Sequence, residues 1–103
     1  MPSAPIVVFG TDRAFRVDCS TLVRKADVVV RVASRQSELA KTLREGGVAA
    51  ILVDVDQRDM EVVRALAGLV PIMQRAPGES IEKIVARALG VTDTSMMQPR
   101  SSK

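Results

Sequence analysis

The sequence contains no histidine, no tryptophan and no tyrosine, only two phenylalanines and a single cysteine. Each shortage removes a class of chemistry. Without histidine there is no Ser-His-Asp or Cys-His nucleophilic site, no histidine-ligated zinc and no histidine-borne phosphoryl group on this chain. A lone thiol, Cys19, forms neither an intrachain disulfide nor a CxxC site. Almost nothing is present for nucleobases to stack on, so nucleic acid is not an expected partner despite a net charge of +3. No apolar run approaches the ~20 residues that span a bilayer. The opening Met1-Pro2-Ser3-Ala4-Pro5 also lacks the basic start and apolar core of a signal peptide. The expectation is a cytoplasmic protein with no membrane insertion.

What is present is ordinary globular composition: 103 residues, 47% apolar and 26% charged, enough for one small domain and too few for two. The chain is organised around Ala49-Ala50-Ile51-Leu52-Val53-Asp54-Val55-Asp56, an apolar run that ends in two carboxylates. An unbroken run of this kind reads as a strand buried on both faces, as central parallel strands are. Ile6-Val7-Val8-Phe9 is a second such run, closed by Gly10-Thr11-Asp12. Val28-Val29-Val30-Arg31-Val32 carries a charge within its β-branched residues and reads as a strand nearer an edge. Pro71 to Arg75 reads as a short fourth strand.

Helical periodicity fills the gaps. Phe15, Cys19, Leu22, Val23 and Ala26 form one stripe, on which Cys19 is a small buried hydrophobe rather than a reactive thiolate. Ser34 is the expected cap of a helix that buries Leu39, Ala40 and Leu43, with Gly46-Gly47 as its left-handed stop. Asp56 or Asp59 caps a third helix, with Met60, Val63, Ala67 and Val70 inside and Gly68 within its last turn. After Pro77-Gly78, the residues Ile81, Ile84, Val85, Ala88 and Leu89 mark the clearest helix, expected to end at Gly90.

Strand and helix thus alternate four times. Right-handed crossovers turn that order into an α/β fold, a small doubly wound parallel sheet of expected strand order 2-1-3-4. Its expected parts are a leader over 1–5, the domain over 6–90 and a flexible tail over 91–103 that includes Met96 and Met97. The strand order sets the ends of strands one and three side by side, so that Asp12 and Asp54 face one crevice. Residues 1–44 hold eight Lys/Arg against four Asp/Glu, and residues 45–103 hold seven against eight. The basic positions Arg13, Arg16, Arg24, Lys25, Arg31 and Arg35 are candidates for a binding face, although the helical ones are explained as solvated helix surface.

The pattern over residues 6 to 90 resembles the receiver domain of bacterial response regulators, whose fold is flavodoxin-like. Gly47-Val48-Ala49-Ala50-Ile51-Leu52-Val53-Asp54-Val55 matches the strand that carries that family's phosphoacceptor, and Ala33-Ser34 matches the start of its second helix. The resemblance implies Asp54 as phosphoacceptor candidate, Asp12 with Asp54 as weak Mg²⁺ ligands, and Thr11 and Arg75 as phosphate contacts. It also implies departures. Gly10 and Thr11 stand where the family has an acidic pair, Asp56-Gln57-Arg58 replaces the usual Met-Pro, and one β-α unit is missing or merged.

The expected function is accordingly a non-catalytic, receiver-like interaction and regulatory module in bacterial signalling or localisation. It has no cofactor, Mg²⁺ being needed only if the site is active, and it works through a protein partner or as a homodimer formed at an exposed edge strand. The alternative is a Mg²⁺-dependent phosphoacceptor receiver. A second alternative is a metal-dependent nucleic-acid enzyme, because Asp54-Val55-Asp56 also resembles the DxD of Toprim nucleases and primases; Phe9-Gly10 stands where those have their glutamate.

Overall fold

The computed structural model describes residues 4–97. Four strands and four helices alternate: β1 (Ile6–Gly10), α1 (Arg13–Lys25), β2 (Val30–Ala33), α2 (Gln36–Glu45), β3 (Ala50–Asp54), α3 (Gln57–Ala67), β4 (Ile72–Gln74) and α4 (Ile81–Met97). All strand pairs are parallel, in the order β2-β1-β3-β4, which is the expected doubly wound topology.

The two apolar runs become the two central strands because neither has a face fit for water. All five residues of β1 are buried, and so are the first four of β3. Strand alternation then divides their side chains between two cores. Ile6, Val8 and Leu52 pack on one face with Phe15, Cys19 and Val23 of α1 and Ile84, Val85 and Ala88 of α4. Val7, Phe9, Ile51 and Val53 pack on the other with Leu39 of α2 and Met60, Val63 and Ala67 of α3. The edge strands β2 and β4 are only partly covered, in keeping with the charge in one and the shortness of the other.

Helix ends differ from the sequence reading in three places. α2 begins after Arg35 rather than Ser34. The Ser34 backbone N–H and hydroxyl donate instead to Glu38 Oε1 at 2.7 and 3.0 Å, and the Arg35 N–H joins them at 3.2 Å. These donors, the Ser34 backbone first, hold the Glu38 carboxyl below its ordinary value. Gly68 is not inside α3 but caps it, with φ +62, so Val70 lies beyond the helix. Gly90 does not end α4, which continues to Met97. A helix-interior glycine costs about 1 kcal/mol relative to alanine, which weakens a helix without forbidding it. The first part of the expected tail is therefore helical, and residues 98–103 lie outside the described residues, as do 1–3 of the leader.

Between α1 and β2 the chain turns through Asp27 at φ +61, and Asp27 N donates to the Arg24 carbonyl at 2.9 Å. A left-handed residue with a Cβ carries strain that glycine does not. Asp27→Gly should therefore stabilise the fold by about 0.5 kcal/mol, after allowance for the freer unfolded chain. A rise in urea midpoint at unchanged slope would show this, and no rise would place the strain elsewhere.

Candidate functional site

The carboxyl ends of β1 and β3 lie side by side, Gly10 in register with Asp54. At such ends the strands stop and side chains emerge into the crevice above the sheet. Asp54, the last residue of β3, is partly buried there, its side chain 34% exposed. It meets Arg75, which follows β4 directly. Arg75 Nη1 donates to Asp54 Oδ2 at 3.2 Å, and the Arg75 side chain is 32% exposed. A pair with this much solvent contributes about 1 kcal/mol or less. Its importance is positional: it fixes where the carboxylate points.

Arg75 is itself held from three sides. Its backbone N–H extends the ladder to the Val53 carbonyl at 3.0 Å, and its Nε donates to the Glu79 carbonyl at 2.9 Å. The turn 75–79 is closed by the Ala76 N–H on Glu79 Oε1 and the Glu79 N–H on the Ala76 carbonyl, both at 2.9 Å. From α4, Arg87 Nη2 reaches Glu79 Oε1 at 2.9 Å and the Gln74 carbonyl at 3.0 Å. The chain Asp54–Arg75–Glu79–Arg87 therefore ties the end of β3 to the β4–α4 turn and to α4.

The sequence reading assigns Glu79 and Arg87 no role, and only the fold shows the contacts they make. The signal that could have found Glu79 is its place just after Pro77-Gly78, where a tight turn brings it back to Arg75. Arg16, read as solvated surface, is half-buried and donates from Nη1 to the Gly10 carbonyl at 2.8 Å.

The other proposed site residues stand apart from this chain of contacts. Thr11 and Asp12 occupy the exposed β1–α1 turn at the same end of the sheet. Asp12 Oδ1 accepts from the Ala14 N–H at 3.1 Å, so this carboxylate caps α1. Asp56 is not on β3 with Asp54 but one step into the next element, where its Oδ1 accepts from the Asp59 N–H at 2.9 Å and caps α3. The shared strand face that a DxD metal site requires is absent from these two residues.

As it stands the arrangement gathers no metal cluster: Asp12 caps a helix, Asp54 is paired with a guanidinium, and no group of three or more Asp, Glu, Cys or His side chains converges among the described residues. Nor is Gly10 an open place for a further ligand: a Cβ there would lie 3.1 Å from Phe15 Cδ2 and 3.3 Å from the Asp54 carbonyl. Asp54 and Arg75 do border an open cleft of about 350 Å³ with Val55, Gln74 and the 76–78 turn.

With this geometry in place, comparison with solved structures finds one described as a transiently phosphorylated "switch" in bacterial signal transduction. It aligns with a TM-score of 0.74 over 94% of this chain and 100% of that chain, at 11% sequence identity. The fold is receiver-like. No family model and no curated protein sequence matches the chain.

Two pH effects follow. Burial pushes the Cys19 thiol up to about 12 from 9.0, against a smaller opposing pull from Arg75. The folded state keeps the proton that the unfolded chain loses near pH 9, so stability falls as pH rises from about 9 toward 12. With no tyrosine present, the alkaline fall in urea midpoint should be visibly flatter in Cys19→Ala than in the wild type. In the opposite direction, the Ala76 N–H and then Arg87 hold the Glu79 carboxyl below 4.5. That stability is present above pH 4.5 and is lost as pH falls through the folded value. Glu79→Gln should lower stability at pH 7 and shrink the difference from wild type in acid, read by denaturant titration at each pH.

Proposed function

We propose that this chain is a cytoplasmic pseudo-receiver: a receiver-like domain, shortened by about one β-α unit, that serves bacterial signalling or localisation by binding a protein partner and does not catalyse phosphoryl transfer. The observation that carries this reading is the Asp54–Arg75 pair at 3.2 Å, with Arg75 anchored through Glu79. Charge that builds on a transferring phosphoryl group has to be neutralised beside the acceptor. Here the cation beside Asp54 is already engaged by the carboxylate itself, and neither Gly10 nor the capping Asp12 offers a free ligand for a metal. Asp54 is then an architectural residue that fixes the β4–α4 turn. The missing unit leaves β4 at the sheet edge, paired with β3 on one side. That edge is where a second copy or a partner strand would add.

A second reading keeps Asp54 as phosphoacceptor. Its support is the open cleft beside a partly exposed carboxylate. In that case an Asp54 oxygen attacks the phosphorus of an acyl phosphate, the bond between phosphorus and the donor's bridging oxygen breaks, and the donor's carboxylate leaves.

Incubation with Mg²⁺ and acetyl phosphate, or with its beryllofluoride mimic, separates the two. Wild type and Asp54→Asn are compared by intact mass and amide NMR shifts. Identical masses and shifts for the treated and untreated protein are expected. A mass gain or shift set present in the wild type and absent in Asp54→Asn would overturn the pseudo-receiver reading and establish the second.

A further inference from the structure

The two ends of the sheet differ in chemistry. Because the strands are parallel and the helices return against them, the loops that lead into the strands all lie at the end opposite Asp54. Backbone hydrogen bonds join them in one line: Ile6 N to the Val29 carbonyl, Ala49 N to the Pro5 carbonyl and Ile51 N to the Pro71 carbonyl, each at 2.9 Å. Across four strands this line is ~15 Å long at ordinary strand spacing. It is uncharged throughout, made from Pro5, Val28-Val29, 46–49 and 68–71. Two apolar side chains stand out of it into water, Val29 at 53% exposure and Leu69 fully exposed at 101%, with Leu66 at 36% beside the second at the end of α3.

Cations flank this apolar line. The last turns of α1, α2 and α3 reach the same end and carry Arg24 with Lys25, Arg44 and Arg64. α1 lies over one face of the sheet and α2 and α3 over the other, so the charges fall on both sides of the line. The last turn of α4 adds no basic residue. Among the described residues that end α1 and α2, the carboxylates are Glu45, paired with Arg31 at 3.5 Å, and Asp27. Basic residues at helix ends also complement the helix dipole, which accounts for each singly. The dipole does not account for apolar side chains left in water between them.

We propose that this end of the sheet is a peripheral docking surface for an anionic lipid bilayer. The apolar side chains are exposed singly, so they suit a partner that deforms around them rather than a matching pocket. The interfacial layer of a bilayer does this, taking up isolated Leu and Val side chains while long Arg and Lys side chains reach the anionic headgroups around them. The binding is superficial. Among the described residues no helix is long and apolar enough to cross a membrane. The proposal is independent of any role for Asp54, which lies at the other end of the strands.

The test is co-sedimentation of the full chain with phosphatidylcholine vesicles, with and without phosphatidylserine, at low and high salt. Binding is expected only with phosphatidylserine, and it should weaken at high salt. Each basic residue near the surface is worth ~1 kcal/mol, roughly fivefold, so Arg24→Ala with Lys25→Ala should cost roughly 25-fold in partitioning. Leu69→Glu, at a fully exposed position where no buried contact is lost, should abolish retention of the remainder. Amide shifts on adding anionic bicelles should centre on residues 28–29, 46–49 and 68–71. No sedimentation with phosphatidylserine, binding equal on neutral vesicles, binding indifferent to Leu69→Glu, or shifts centred on the Asp54 cleft would each overturn the proposal. An acidic protein partner at this face would appear as the first of these outcomes.

Discussion

Complete burial of β1 and β3 is the constraint on which the rest depends. A parallel strand with no wettable face has to be covered on both sides, and a chain of this length can do so only by sending each connecting helix back across the sheet. Every apolar stripe then has an assigned place: Phe15, Cys19 and Val23 over Ile6, Val8 and Leu52, and Met60, Val63 and Ala67 over Ile51 and Val53. The same arrangement fixes the polarity of the molecule. Strand ends with their carboxylates gather at one pole, and strand starts with their uncharged loops gather at the other.

At the first pole the four-strand sheet determines what the carboxylate meets. β4 lies beside β3, so the residue that follows β4 is placed against the residue that ends β3, and Arg75 neutralises Asp54. The β4–α4 turn then folds back on the guanidinium through Glu79, and Arg87 ties the turn to α4. Asp54 accepts from Arg75, while Asp12 and Asp56 cap α1 and α3. The three aspartates that drew attention in the sequence serve three different local structures.

The likeness to a signalling switch at 11% identity therefore concerns the scaffold. A scaffold of this kind can keep its topology while the residues at its strand ends change, because the core depends on apolar volume and periodicity and the site depends on single side chains. Gly10 shows how tightly the core constrains one such position. Phe15 packs against the space a side chain would need there, so a larger residue at that position would disturb the core beneath the first helix.

By itself the sequence determined the element order, the central position of β1 and β3, the edge position of β2 and the strand order, since all of these follow from local periodicity and the handedness of crossovers. It also placed Asp54 at a strand end, because the abrupt change from Leu52-Val53 to charge is a local signal. Helix ends were less legible: Gly68 and Gly90 look alike in sequence, yet one caps a helix and the other lies inside one. Gly68 takes a left-handed φ of +62 that ends its helix, whereas Gly90 keeps the helical backbone. The tertiary structure alone decided that Arg75 pairs with Asp54 across 21 positions, that Glu79 and Arg87 complete the chain of contacts, and that the exposed Val29 and Leu69 lie at the same end of the sheet, before its two edge strands. Side-chain pairing at a distance depends on strand register, and register is settled only when all four strands and both helical layers are packed at once.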